Sequence, residues 1–480
     1  IQQFSFQNID NFSTGSLITR LTNDITQIQN MIMMTLRMCL RSPGILIGAM
    51  VMAFVISPKL AAIFIIVLPV LAVLIVVIMR RAFPQFRTLQ EKLDALNSCI
   101  QEGLVGIRLI KSFVRGDYEE MRFEKRNQQL KEANLTAMKT MLLYTPLMTL
   151  ALNITTVVVV WSGGNMIVAG NMQVGDLTAF TNYIVQIMSS LTMLSIAFLN
   201  WARAIASFRR VGEVLDEKID LTDENAKHKD RAVCEGSVEF QNVSFRYYKN
   251  SPEWVIENIS FKLEAGKTLG IIGSTGSGKS TLVSMIPRLY DTDEGTVLVD
   301  GINVRDYGVK PLREGIGMVL QNNTLFSGSI TENLKWGDEH ADEKAVRKAA
   351  QNAQAAGFID SFKDGYRTRL EQSGNNVSGG QKQRLCIARA LLKCPKILIL
   401  DDSTSAVDTA TERAIREALH SEYKDMTKII IAQRIRSVMD ADEILVLDNG
   451  KTAGFGTHEQ LLADCPVYRE IYDVQNGREE

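Results

Sequence analysis

The stretch KTLGIIGSTGSGKSTLVSMI, Lys267–Ile286, decides how the C-terminal half of this 480-residue chain folds. A short apolar run enters a glycine-rich loop, and a helical pattern leaves it. Gly273, Gly278, Lys279 and Ser280 fit G-x-x-x-x-G-K-[ST]. Together with Ser274, Thr275, Gly276, Ser277 and Thr281 they make a loop whose backbone N–H groups can close around phosphate oxygens. Lys279 is spaced to reach terminal phosphates, and the Ser280 hydroxyl to meet Mg2+. Further on, KILILDD (Lys396–Asp402) reads as a buried strand that ends in acid. An aspartate there either holds the water shell of Mg2+ or caps the next helix, and the phosphate loop upstream favours the first role for Asp401. In NNVSGGQKQRLCIARALL (Asn375–Leu392), Ser378, Gly379 and Gly380 precede an amphipathic helix. A helix N-terminus of this kind is a second anion-binding edge, although a flexible turn reads similarly. One nucleotide needs only one phosphate loop, so the second edge invites a nucleotide held by another subunit.

Outward from these motifs the chain divides into unlike halves. Charges nearly cancel, at net −1, so no basic field points to nucleic acid. The six cysteines are scattered without a CxxC pair, which suits a reducing compartment and argues against a zinc or disulfide framework. Up to about residue 210 the sequence is strongly apolar. Leu60–Met79, Thr140–Trp161 and Leu177–Trp201 are uncharged runs of membrane-spanning length, and Pro43–Ile56 extends backward into a fourth. The pattern predicts four crossings of a lipid bilayer. Arg37, Arg41, Arg80, Arg81, Arg87 and Lys139 gather on one side, whereas the turn Ser162–Asp176 carries no Lys or Arg. The basic side is cytoplasmic by the positive-inside rule, and this places the C-terminal half in the cytoplasm. Between the second and third runs, Leu89, Leu93, Leu96, Ile100, Leu104 and Ile107 recur at helical spacing. They predict two long helices projecting into the cytoplasm and turning near Val114–Phe123. The last crossing carries Thr178, Asn182, Gln186 and Ser189 or Ser190 on one face, either packed on a neighbouring helix or lining a substrate passage.

These motifs together resemble an ATP-binding-cassette (ABC) exporter of the half-transporter type, over essentially the whole chain. The resemblance implies an α-helical transmembrane domain (1–210), a linker (211–236) and an α/β P-loop NTPase domain (237–478), in the plasma membrane, with ATP and Mg2+ as cofactors. Tyr247 in VSFRYY matches the ring that stacks on adenine, and Gln321 matches the Q-loop residue that contacts the metal and the membrane domain. Val377–Gln381, with Gln381 last, matches the signature with Val in place of the usual Leu, and Ser405–Asp408 matches the D-loop. Asn8–Ile25 and Arg115–Phe123 resemble the two intracellular coupling segments. The family has six crossings per half, of which four are present here. With Ile1 as first residue, this leads to the expectation that two preceding helices are missing.

Two positions depart from the family pattern. Asp402 stands where the family has the Glu that acts as base toward water, and Gln433 where it has a His contacting the γ-phosphate. The shorter carboxylate retreats by roughly 1–1.5 Å, and a misplacement of about 1 Å can cost ~10²-fold in rate. Gln still offers a hydrogen bond but no positive charge. In the family each ATP lies between one chain's phosphate loop and the other's signature. The weak elements here are on the phosphate-loop side, while Ser378–Gln381 is intact. The expectation is therefore a heterodimer in which this half owns the degenerate site, its partner supplies Glu and His, and a small amphipathic or lipid-like substrate is exported. A homodimer with slow turnover and an ATP-gated membrane protein are the alternatives.

Overall fold

The computed structural model describes residues 1–249, 251–403 and 407–477, and for Cys39 and residues 195–203 the backbone alone. It contains two compact units, Gly15–Asp216 and a second one made of Ile1–Thr14 with Glu217–Glu480.

The first unit is built from long helices. Among the described residues, Thr14–Ile56, Pro58–Val105 and Gly116–Val168 are long and apolar enough to cross a membrane. The fourth apolar run lies in the helix Val174–Leu215, where residues 195–203 are described by backbone alone. The helix Pro58–Val105 starts where its sequence says it should, with Ser57 as N-cap and a proline in the first turn. Its 48 residues extend roughly 70 Å at 1.5 Å per residue. That is more than twice a hydrocarbon core of about 30 Å, so half the helix stands outside the bilayer. One stripe faces inward: Leu60, Phe64 and Leu71 pack with Phe180, Ile184 and Ile187, and the rings of Phe64 and Phe180 stack at 5.5 Å. The other faces of the helix leave Ile65, Ile66, Val70 and Val73 exposed. That arrangement is stable in hydrocarbon and unfavourable in water.

Two sequence expectations change here. The turn between the projecting helices falls earlier than Val114–Phe123, at Gly106–Arg115, and holds a short helix, Ile107–Ser112. Gly106 ends the first helix and Val114 adopts a positive φ of 51°, while Asp117 and Glu119 already sit in the first turn of the next helix, where acids suit the dipole. The acidic run read as the turn is a helix start. On the last helix Thr178, Asn182, Gln186 and Ser189 are exposed while Phe180, Ile184 and Ile187 are buried, so the polar stripe faces away from the unit's own core. Ser190 is buried.

An ion pair between a buried carboxylate and an exposed guanidinium ties the cytoplasmic ends of this unit together. Asp24 is fully buried and accepts from Arg210 Nε at 2.8 Å and from Ser207 Oγ at 2.8 Å. Arg20 bridges the same two helices through Glu213 at 3.1 Å and the Arg210 carbonyl at 2.9 Å. Stranding a buried charge is costly, whereas removing both partners is much cheaper. Arg210→Met should therefore lower stability by about 1–2 kcal/mol, less than for a fully buried pair because Arg210 is itself 44% exposed, and adding Asp24→Asn should recover most of the loss. Thermal unfolding of the full-length protein in lipid nanodiscs checks this; equal losses in the single and double variants would contradict it.

The second unit holds two main sheets. The strands are β1 (Val238–Phe245), β2 (Ile256–Leu263), β3 (Thr268–Gly273), β4 (Glu294–Val299), β5 (Ile302–Asn303), β6 (Ile316–Val319), β7 (Gly328–Ser329), β8 (Arg369–Leu370), β9 (Ile397–Asp401), β10 (Thr427–Ile431), β11 (Glu443–Asp448) and β12 (Lys451–Gly456). One sheet runs β2-β1-β4-β5, antiparallel; the other runs β12-β11-β3-β10-β9-β6; β7 and β8 form a separate pair. In the six-stranded sheet β11, β3, β10, β9 and β6 are mutually parallel, and only β12 is reversed. Every residue of β9 and β10 is buried, which is why both read as unbroken apolar runs, with a single Lys428 in β10. Lys428 Nζ donates to the Met426 carbonyl at 2.9 Å.

Candidate active site

Ligands of open α/β sheets bind beyond the carboxyl ends of parallel strands, and four of this sheet's five parallel strands end at the site. β3 ends at Gly273, β10 at Ile431, β9 at Asp401 and β6 at Val319. In register, Ile431 pairs with both Ile271 and Asp401. The residues just past those ends therefore meet, although they lie far apart in sequence. A cavity of 330 Å³ is lined by Tyr247, Thr275–Gly276, Gly278–Thr281, Gln321, Asp401, Asp402 and Gln433, together with Val255 and Ile431.

The phosphate loop has the backbone its glycines allow. Gly276 and Gly278 adopt φ of 85° and 90°, and a Cβ on Gly278 would meet Ile256 Cγ2 at 2.6 Å and the Val255 carbonyl at 2.9 Å. A side chain at Gly278 would press the loop off β2. Lys279 Nζ donates to the carbonyls of Gly273 at 2.9 Å and Ser274 at 2.7 Å and to Ser277 Oγ at 3.3 Å. The ammonium thus spans the loop, and burial pushes its pKa below the ordinary lysine value. Gly273, Ser274 and Ser277 shape the loop from behind and do not line the cavity.

At the opposite wall Ser280 Oγ donates to Asp401 Oδ1 at 2.9 Å. Hydroxyl and carboxylate present adjacent hard oxygens, the donor type that magnesium takes. Among the described residues no three His, Cys, Asp or Glu side chains cluster to hold a metal unaided. A cation here would share its ligands with phosphate oxygens, as magnesium does in nucleotide sites. The loop that a Cβ would disrupt, the spanning ammonium and the oxygen pair all fit a nucleoside triphosphate with its cation.

Asp402 takes φ of 45°, uncommon for a residue with a Cβ, and its N–H donates to the Ile431 carbonyl at 3.0 Å. That bend turns the side chain toward β10, where Gln433 Nε2 donates to Asp402 Oδ2 at 2.8 Å. The two departures from the family pattern are thus in direct contact. Burial raises the pKa of both Asp401 and Asp402; the Ser280 and Gln433 hydrogen bonds respectively oppose the rise.

The signature does not join this cavity. Ser378 is the N-cap of Gly379–Leu392 in a reciprocal capping box: Gln381 N donates to Ser378 Oγ at 3.3 Å, and Ser378 N to Gln381 Oε1 at 2.9 Å. Ser378 and Gly379 are exposed and Gly380 is partly exposed. Ser405 and Ala406 of the D-loop stretch lie outside the described residues.

Several residues escaped the sequence reading. Val255 and Ile431 wall the cavity with apolar surface, as any strand end would. Gln475, in the helix Pro466–Asn476, donates to the Gln433 carbonyl at 2.8 Å and accepts from Ile435 N at 2.8 Å, holding the segment after β10 from both sides. Tyr290 contacts Tyr247 edge to face at 5.4 Å. A lone Gln near the C-terminus and a lone Tyr in no motif, four residues past the phosphate-loop stretch, give no signal in one sequence.

Asp401 supplies a stability test. Its pKa in the fold lies above the unfolded value, so its protonated form favours folding. That contribution is full below the unfolded value and is lost as pH rises through the folded one. Asp401→Asn removes the penalty of a buried negative charge while keeping an acceptor for Ser280. At pH 7 without nucleotide it should raise the thermal midpoint of this unit, by about 2–4 °C for each ~1 kcal/mol of penalty relieved. The gain should shrink as pH falls toward 4 and vanish below the unfolded value of about 3.9, where both states are protonated. A gain that persists unchanged to pH 4 would refute the assignment.

Comparison with known proteins agrees with this geometry. Residues 1–191 match the ABC transporter transmembrane region and residues 256–405 the ABC transporter domain. The chain is 42% identical over 479 residues to the uncharacterized ABC transporter ATP-binding protein YfiB of Bacillus subtilis, covering 100% of this chain and 82% of that protein. It is 36% identical over 483 residues to the putative multidrug export ATP-binding/permease protein YgaD of the same organism, covering 99% and 82%. A solved structure of a bacterial Atm1-family ABC exporter with ATP bound superposes with a TM-score of 0.85 at 27% identity, over 100% of this chain and 83% of that one. Fold, site and relatives together place the chain in the ABC transporter family, as a half-transporter of the exporter type that joins a multi-pass membrane domain to a cytoplasmic ATP-binding domain.

Proposed function

We propose that this half-transporter works as the degenerate-site member of a heterodimer, exporting an amphipathic or apolar substrate such as a drug or lipid across the plasma membrane. The observation that carries the reading is the 2.8 Å hydrogen bond from Gln433 to Asp402. ATP bound with Mg2+ supplies a terminal phosphoryl group for transfer to water. The tasks left to the chain are holding, orienting and removing a proton. Lys279 would exchange its two carbonyl partners for phosphate oxygens and return positive charge to the loop. Ser280, Asp401 and Gln321 would hold the cation. Tyr247 offers its ring as a platform for the base.

Proton removal falls to Asp402, and here the site is weak. The carboxylate is short, and the Gln433 amide donates to the oxygen that would otherwise face water. Burial raises the pKa of this carboxylate, and the Gln433 hydrogen bond works against that gain in basicity. Gln433 also brings no positive charge to a phosphoryl group in transit, where electrostatic stabilisation is worth most. The exposed Ser378 and Gly379 are available to a second chain, which fits one competent site built from this chain's signature and a partner's phosphate loop.

The exposed polar stripe Thr178–Asn182–Gln186–Ser189 supports a substrate passage. Polar groups at membrane depth must meet protein or water, and this face is turned from the unit's own core. Apart from the stripe, the large apolar exposure of the crossings favours apolar cargo over charged. YgaD, a relative by sequence, is described as a putative multidrug exporter.

The test is ATPase activity of the full-length subunit assembled only with itself in nanodiscs. Turnover should be slow. Asp402→Glu alone should raise it little, because Gln433 keeps its grip on the carboxylate. Asp402→Glu with Gln433→His should raise kcat by at least ~10-fold, within the ~10²-fold range that correct placement is worth. Brisk turnover by the unmodified self-assembled subunit, lost in Asp402→Asn, would overturn the pairing.

A further inference from the structure

The helix Phe6–Asp10 belongs to the nucleotide-binding unit, although it leads by only a few residues into the membrane-directed helix that starts at Thr14. It is firmly seated. Ser5 and Asn8 are buried in a capping box, and Asn8 Nδ2 donates to Glu217 Oε1 at 3.0 Å and to the Lys218 carbonyl at 2.9 Å. At the other end of the helix Asn11 Nδ2 donates to Glu217 Oε1 at 3.4 Å, and Tyr290 holds the last helical residue. Tyr290 donates its hydroxyl to Asp10 Oδ2 at 2.8 Å, and its ring lies 6.0 Å from that of Phe6.

Tyr290 also belongs to the wall behind the base platform. Its ring meets Tyr247 edge to face, with centroids 5.4 Å apart at 85°, and Phe245 at 5.5 Å; Phe245 and Tyr247 meet at 5.1 Å and 83°. Three rings in mutual contact, two pairs edge to face and the Phe245–Tyr290 pair tilted at 54°, leave little room for one to turn without displacing the others. The Tyr247 hydroxyl lies 2.8 Å from Thr281 Oγ1, in the phosphate loop beside Ser280. Asp10, Tyr290, Tyr247 and Thr281 thus form one continuous chain, made of two hydrogen bonds and one ring contact, from the N-terminal helix to the cavity.

We propose that Tyr290 is a positioning residue that passes occupancy of the base position, as distinct from the phosphate position, to the helix Phe6–Asp10. A nucleobase stacked on Tyr247 fixes the orientation of that ring, the ring fixes Tyr290, and Tyr290 fixes Asp10. The ligand class that can send this signal is a nucleotide with an aromatic base; a bare polyphosphate fills the loop without touching the ring. The route avoids Asp402 and Gln433 altogether, so a subunit with weak hydrolytic chemistry keeps a strong means of reporting that it is loaded. This rests on the exporter assignment for what the helix moves, and not on the heterodimer reading.

Hydrogen–deuterium exchange of the full-length transporter in nanodiscs, read over residues 1–14, tests the proposal. The amides of Asn8, Ile9 and Phe12 are the reporters, since their hydrogen bonds are those of the helix and its end. Saturating Mg-ATP should slow their exchange at least 3-fold, while saturating Mg-tripolyphosphate should not. Tyr290→Phe should abolish the ATP effect while changing the ATP dissociation constant by less than 3-fold. Asp10→Asn, which keeps an acceptor, should retain the effect, and Asp10→Ala should lose it. The double variant Asp10→Ala/Tyr290→Phe should behave like either single one. Equal protection by tripolyphosphate, or an undiminished ATP response in Tyr290→Phe, would overturn the proposal. Fast turnover by the self-assembled subunit would refute the pairing reading and leave these exchange rates unchanged.

Discussion

Parallel register is the constraint on which the site depends. Because β3, β10, β9 and β6 run the same way and pair in step, Gly273, Gln433, Asp401 and Gln321 emerge at one edge, though more than a hundred residues separate some of them. A slip of one residue between β9 and β10 would turn Asp401 out of the cavity and break the contact of Asp402 with Gln433. The register is held by burial on both faces. The isoleucines of β10 and the Ile-Leu-Ile-Leu run of β9 find apolar neighbours above and below the sheet, in the two core clusters of this unit. The chemistry at the edge is therefore set by packing in the middle.

The membrane unit obeys the opposite rule with the same residues. Many of its large apolar side chains are exposed, and a narrow buried stripe that includes Phe64 and Phe180 holds the helices together. In lipid, apolar burial between helices gains little, so specific polar ties count for more. The fully buried Asp24, joined to Arg210 and Ser207, is such a tie, set at the end of the helices that faces the cytoplasm.

Much of this was legible in the sequence, for identifiable reasons. The phosphate loop could be read because its function needs glycines at fixed spacing, and Asp401 because a buried strand advertises itself as an apolar run. Length and the absence of charge betrayed the crossings. The second cytoplasmic turn was misplaced because Asp117 and Glu119 look like loop residues but act as a favourable first helical turn. The Gln433–Asp402 contact could not be read, since 31 residues separate the pair and only strand pairing unites them. Tyr290 was invisible for a similar reason: its partners are Asp10, 280 residues away, and a ring beyond a different strand.

The two ends of the nucleotide cavity have thus been treated differently. At the phosphate end a short carboxylate is tethered by an uncharged amide, and on the proposed reading neither side chain brings what phosphoryl transfer to water most requires. At the base end the platform ring is backed by two others, tied by hydroxyl to the loop and through Tyr290 to the N-terminal helix. A site selected for hydrolysis alone has no need of the second set of contacts. A site that binds and reports needs little else, because binding energy can shift a conformational equilibrium only by the difference between its contacts in the two states. Contacts at the base end meet that requirement without bond cleavage. In the proposed pairing the two duties separate, with loading signalled from this chain's cavity and cleavage carried out across the interface against its signature.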